Sequence, residues 1–172
     1  MPATTFDRMP DDARLWVFAA PRALLPGEAD ALLARVDGFL ERWAAHGAPV
    51  LGARDLRDGR FLLMAADERA TGVSGCSIDS LFHALAEVEA GLGIDLRRTA
   101  QRVFWRAADG EVRSAERAEF RRLAQAGEVG DDTIVFDHTV PTVGDLRAGR
   151  WETRFRDAWH AKAFPLGAAS AA

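Results

Sequence analysis

Apolar residues recur along this chain with two different periods. Arg14-Leu15-Trp16-Val17-Phe18-Ala19-Ala20 is short, aromatic and β-branched, and Pro21 closes it, which predicts a first strand. From Gly27 to His46, the residues Leu32, Leu33, Val36, Phe39, Leu40 and Trp43 follow helical spacing, with Pro26 at the start and Gly47 just past the end. Two strand-like runs, Pro49 to Arg54 and Arg60 to Ala66, flank Asp55-Leu56-Arg57-Asp58-Gly59, where Asp-Gly supplies the turn chemistry of a hairpin. Ile78, Leu81, Phe82, Leu85, Val88 and Leu92 then share one stripe of a second helix expected from Ser77 to Gly91.

Gln101 to Ala107 reads as a fourth strand, which Asp109-Gly110 turns into a short fifth near Val112. A third helix is expected from Ser114 to Ala126 with Phe120 and Leu123 facing inward, and Thr133-Ile134-Val135-Phe136 reads as a last strand. Beyond Pro141, Trp151, Phe155 and Trp159 recur at intervals of four, the spacing of one side of a docked helix. Up to the fourth strand the order is β-α-β-β-α-β. It is the order of the split βαβ, or ferredoxin-like, unit. The expected fold is therefore α+β, with an antiparallel sheet carrying helices on one face and an extra hairpin, helix and strand on the C-terminal side. No repeat, linker or low-complexity block interrupts it. Residues 1–172 read as a single domain, with 1–12 and 166–172 as flexible tails.

Composition narrows the class. The chain has 172 residues, 48% hydrophobic and 28% charged, which suits a soluble globular domain and excludes disorder, collagen and a disulfide scaffold. Its single cysteine, Cys76, has no internal partner, so a reducing, cytoplasmic setting is expected. No apolar run approaches the ~18 residues of a membrane span, and the first residues lack a signal-peptide pattern, so no membrane partner is expected. Lys162 is the sole lysine; arginine supplies every other basic side chain of a chain with net charge -4. The arginines cluster at Arg97-Arg98-Arg102-Arg106, Arg117-Arg121-Arg122 and Arg147-Arg150-Arg154-Arg156, with aromatics between them. Because the chain is acidic overall and lacks the basic-Gly-aromatic run of an RNA-binding sheet, nucleic acid is not the expected partner.

Local chemistry concentrates in Thr71-Gly72-Val73-Ser74-Gly75-Cys76-Ser77-Ile78-Asp79, where glycines and hydroxyl residues precede the second helix. Free backbone N–H groups and the positive end of the helix dipole would favour a small anionic ligand there. Ser74, Gly75, Cys76 and Ser77 are its candidate binding residues, with Arg14 and Trp43 as neighbours. The same field would favour a thiolate at Cys76, which makes a thiol-dependent enzyme the alternative, with Cys76 as nucleophile and His46, His138 or His160 as base. In the simpler reading a serine caps the helix, the glycines make the turn and Cys76 packs as a small apolar residue. A third reading presents Trp151, Phe155 and Trp159 to a protein partner or to a second copy in a homo-oligomer. Asp79, His83 and Glu87 share a helical stripe without a further ligand, so they read as a solvated face; no metal and no cofactor is expected.

Arg14-Leu15-Trp16-Val17-Phe18, Trp43-Ala44-Ala45-His46-Gly47, Ser74-Gly75-Cys76-Ser77-Ile78-Asp79, Thr133-Ile134-Val135-Phe136-Asp137 and Asp157-Ala158-Trp159-His160 resemble a family of small bacterial proteins. Its members often carry the label "ABC transporter ATPase". The resemblance spans nearly the whole chain and implies a small domain with the Cys76 turn as its signature, but it brings no activity. An ATPase of that kind needs a glycine loop ending in Lys-Ser/Thr, whereas Lys162 is followed by Ala163 and preceded by no such loop. The chain is not read as a P-loop ATPase.

Overall fold

Phe61-Leu62-Leu63-Met64-Ala65-Ala66 is apolar without alternation, the pattern of a strand covered on both faces. In the computed structural model, which describes residues 5–69 and 75–167, every residue of that strand is buried. The elements in chain order are β1 (Arg14–Ala19), α1 (Pro26–Leu40), β2 (Ala44–Ala45), β3 (Ala48–Pro49), β4 (Leu51–Arg57), β5 (Phe61–Asp67) and α2 (Gly75–Leu92). They are followed by β6 (Arg102–Arg106), β7 (Val112–Glu116), α3 (Arg117–Gln125), β8 (Ile134–Phe136), α4 (Val143–Arg147), β9 (Glu152–Arg154) and α5 (Trp159–Ala163). The fold is α+β with antiparallel sheets.

Strand alternation sorts the apolar side chains into three cores and so into four layers. Leu62, Met64 and Ala66 of β5 face Leu32 and Val36 of α1 and Leu81 and Leu85 of α2. Phe61, Leu63 and Ala65, on the opposite face, meet Phe104 of β6 and Phe136 of β8. Beyond them, Val103, Trp105 and Val135 pack on Phe120 and Ala124 of α3 and on Phe155 and Phe164. The layers therefore run helix, sheet, sheet, helix. Arg60 ties the sheets: its guanidinium donates to Val112 O at 2.7 Å and to Pro21 O at 2.9 Å, and burial pulls its pKa below arginine's usual value.

The expected single sheet is replaced by two larger ones and a small hairpin. One has the order β1-β5-β4 and the other β7-β6-β8-β9, with β2-β3 apart. The fourth strand of the predicted unit, β6, pairs with β7 and β8 instead of joining β1, because its Phe104 and Val103-Trp105 faces both find apolar cover in the second sheet's layers. The first helix also stops earlier than its periodicity implies. His46 (φ 51°) and Gly47 (φ 79°) form the two-residue turn of the β2-β3 hairpin. Trp43 is thereby swung into the core, and its indole N–H donates to Ser77 O at 2.9 Å. Gly52 of β4 lets this packing close in, since a Cβ there would sit 2.7 Å from Leu40 Cδ2 and 3.0 Å from Trp43 Cε3 and push those side chains aside.

At the predicted N-terminal tail, residues 5–12 are built into the fold: Phe6 and Met9 are buried in the core between the sheets. Leu166 packs against the third core, while residues 168–172 lie outside the described residues. Trp151, Phe155 and Trp159 do not share one helix. Trp151 precedes β9, Phe155 opens a 3-10 turn, and Trp159 begins α5. Trp151 and Phe155 are buried in the chain's own cores, so of the three only Trp159 stays at the surface. No helix among the described residues is long and apolar enough to cross a membrane.

Candidate functional site

β1 pairs with β5 along one edge only. In an antiparallel ladder successive residues point their N–H and C=O groups to opposite edges, so Leu15, Val17 and Ala19 face away from β5. Leu15 N–H donates to Pro141 O at 2.9 Å, and Ala19 N–H donates to Leu96 O at 3.2 Å and Thr99 Oγ1 at 3.1 Å. Val17, midway between them, has no partner on that edge among the described residues. A cleft of about 830 Å³ opens here, within the ~300–1,000 Å³ range of small-molecule sites. Consecutive residues from Arg14 to Phe18 all line it, although their side chains alternate between two faces. The strand thus offers the cleft its backbone edge.

The cleft's charge is of one sign. Arg14, Arg97, Arg102 and Arg117 line it together with His138 and His160, and no carboxylate does so among the described residues. Arg97 is held by Glu89 at 2.7 Å, and Arg14 lies 3.6 Å from Glu68. Arg102 instead donates to Ser114 Oγ at 3.3 Å, and Arg117 stacks over the rings of Trp159 (5.4 Å) and Phe164 (5.1 Å). Neither pairs with a carboxylate among the described residues. Phe82 and Trp159, two of the four exposed large apolar side chains described, stand at its rim.

Both cleft histidines are kept neutral. Trp151 Nε1–H donates to His138 Nδ1 at 3.2 Å, and an indole is only a donor, so the His138 proton resides on Nε2. That Nε2–H is shielded from solvent and meets no acceptor among the described residues, and neither does His160 Nδ1 have a partner. Burial pushes His138 down to about 3 and His160 down to about 4, with Asp137 opposing both shifts. Asp137 itself is occupied, accepting from Thr139 N–H at 2.9 Å and from Trp159 Nε1–H at 3.2 Å. No group of three or more His, Cys, Asp or Glu gathers as a metal site among the described residues. A second groove, about 530 Å³ between α1 and α2, mixes Arg35 and Arg42 with Glu87 and holds no unpartnered buried side-chain atom of the described set.

The residues singled out from sequence are not brought together in one place. Ser74, with Thr71, Gly72 and Val73, lies outside the described residues. Gly75 and Cys76 begin α2 and are exposed, and the Cys76 thiol has no hydrogen-bond partner among the described residues. Ser77 is buried. Arg14 belongs to the cleft, and Trp43 to the packing under α2, but they are linked: Arg14 lies 4.9 Å over Trp16, and Trp16 meets Trp43 edge-on at 6.2 Å. His46 sits exposed in its hairpin turn, whereas His138 and His160 belong to the cleft. A neutral His138 with its proton on Nε2 and a pKa near 3 is poorly equipped to take a proton from a thiol at neutral pH. Sequence reading missed Val17, Thr99, Arg102 and Arg117 as site residues; the clustering of arginines around 97–106 and at 117 was the available signal. No family model, curated protein or solved structure matches the chain.

Proposed function

We propose that the protein is a small-ligand-binding domain that receives an anionic molecule with an apolar body in the cleft beside β1. One observation carries this reading. Four arginines and two imidazoles line the cleft without a carboxylate among the described residues, in a chain whose net charge is -4. Concentrating one sign of charge in an apolar-walled cleft focuses the field on a ligand of the opposite sign. The ligand class is the one expected from sequence, but the anion is assigned to the cleft instead of to the Ser74–Asp79 start of α2. Gly75 and Cys76 are exposed there and add no unpartnered buried group. On the same reading β1, α1, β4, β5 and α2 form a split βαβ unit whose closing strand has been drawn into the second sheet, and the ligand occupies the edge thereby left open.

Isothermal titration calorimetry with 2-naphthoate and its uncharged twin 2-naphthamide tests the proposal. Removing two charge-assisted contacts costs about 1.5–3 kcal/mol each. The carboxylate is expected to bind at least about tenfold more tightly than the amide, and to lose that advantage in Arg102→Gln/Arg117→Gln. Equal affinity for the two, or a carboxylate preference unchanged in the double variant, would overturn it.

A further inference from the structure

Resting on the cleft reading, we infer that the ligand is an N-acylated α-amino acid with an apolar side chain, paired through its own backbone atoms to the free edge of β1 at Val17. The open edge is short. Leu15 N–H is already given to Pro141 O, and Ala19 N–H to Leu96 O and Thr99 Oγ1, which leaves the N–H and C=O of Val17 as an adjacent donor and acceptor. A residue opposite another in a hydrogen-bonded antiparallel pair exchanges both bonds with it, one from its N–H and one to its C=O. One ligand residue is therefore all that this gap accommodates, because the Pro141 and Leu96 contacts close it on both sides.

The chemistry around the gap specifies that residue further. Its acyl N–H would donate to Val17 C=O, which demands an amide and excludes a free ammonium, since a cation would be set among Arg14, Arg102 and Arg117. Its carboxylate would accept from Val17 N–H with one oxygen and leave the other for Arg102 or Arg117, the two cleft arginines without a carboxylate partner among the described residues. Phe82, Phe18 and Trp159 supply the apolar and aromatic wall for the side chain. This is strand addition reduced to its smallest unit: main-chain bonds hold the ligand and the flanking surfaces select it.

The test compares N-acetyl-L-phenylalanine with O-acetyl-L-phenyllactate, in which an ester oxygen replaces the N–H and the carboxylate is kept. Loss of one net hydrogen bond predicts about fivefold weaker binding of the ester. Amide hydrogen exchange read by NMR gives an independent measure in the unaltered protein. The Val17 N–H should exchange about tenfold more slowly at saturation with N-acetyl-L-phenylalanine, while amides already bonded to β5 keep their rates. Equal affinities for the two acids, or an unchanged Val17 rate at saturation, would overturn the pairing. If both acids bind equally and both lose affinity in Arg102→Gln/Arg117→Gln, the pairing fails alone and the anionic cleft stands. If neither acid binds and 2-naphthoate does not bind either, both fail together.

Discussion

On the proposals above, an anionic ligand would meet backbone N–H groups either at the start of α2 or in the cleft beside β1, and the two places differ in their described surroundings. At α2 the first described residues, Gly75 and Cys76, are exposed, and the Trp43 indole N–H donates to Ser77 O just behind them. Water competes freely for any group bound there. In the cleft, Val17 shares the lining with the buried Phe18 and Phe136 and with arginines, so a hydrogen bond there would form where the surroundings are less like water. An anion is favoured by helix dipoles in one place and by full charges in the other. A macrodipole contributes ~0.3–1 kcal/mol in the open, against ~1.5–3 kcal/mol for a charge-assisted bond, which is why the cleft is proposed over the start of α2.

The largest effect is expected from removing the cleft's foundation. Phe61 is fully buried and meets Phe104 at 5.5 Å, Phe136 at 4.7 Å, His138 at 5.4 Å and Trp151 at 5.1 Å. Phe61→Ala is expected to lower stability by ~3–5 kcal/mol in urea denaturation. The loss should be accompanied by weakened 2-naphthoate binding. A change below ~1 kcal/mol would mean that this aromatic layer does not hold the sheets together.

Acidity separates the regions next. His138 and His160 are neutral when folded, at about 3 and about 4, against a usual value of 6.5. Below pH 6.5 the unfolded chain binds protons that the native one refuses, so stability falls as pH falls from 6.5 to about 4, by up to ~1.4 kcal/mol per pH unit for each histidine. The slope flattens once pH drops below the folded values. His138→Gln, which keeps an acceptor for Trp151, combined with His160→Phe should flatten that part of the curve measured by thermal melts at stepped pH. A slope identical to that of the unaltered protein would show that other groups cause it.

Cys76→Ser is expected to do least. An exposed side chain without a partner among the described residues should change stability by no more than ~0.5 kcal/mol and cleft affinity by less than about twofold. Abolished binding of 2-naphthoate would join the two regions through the Arg14–Trp16–Trp43 contacts and refute their independence.

What the sequence made legible follows from the range of the interactions involved. The β4-β5 hairpin and its Asp58-Gly59 turn were readable because the turn needs positive φ at both residues, 49° and 59°, and the residues that allow it are adjacent in sequence. The end of α1 was not, since its helical spacing continues to Trp43 while the decisive bond runs from that indole to Ser77. β6 has the strand pattern expected, yet nothing within Arg102–Arg106 states which neighbour it pairs with. The unbroken apolar run of β5 was the one sign that a second layer must cover the face away from α1 and α2. The segment ending at Cys76 stands out in sequence because its polar groups are contiguous. Arg14, Arg102, Arg117 and His160 converge only through tertiary packing, so no motif marks them.

The hydrogen bonds that fence the cleft also bear on how the chain assembles. β4-β5 and β6-β7 close over short turns, whereas Ala19 reaches Thr99 across eighty residues and Leu15 meets Pro141 from near the opposite end of the chain. Contacts of such separation are slow to form, so hairpins come first and the fences around Val17 among the last. A ligand that needs those fences engages only the finished molecule. It therefore prolongs the life of the native state by slowing unfolding and leaves the rate of folding unchanged.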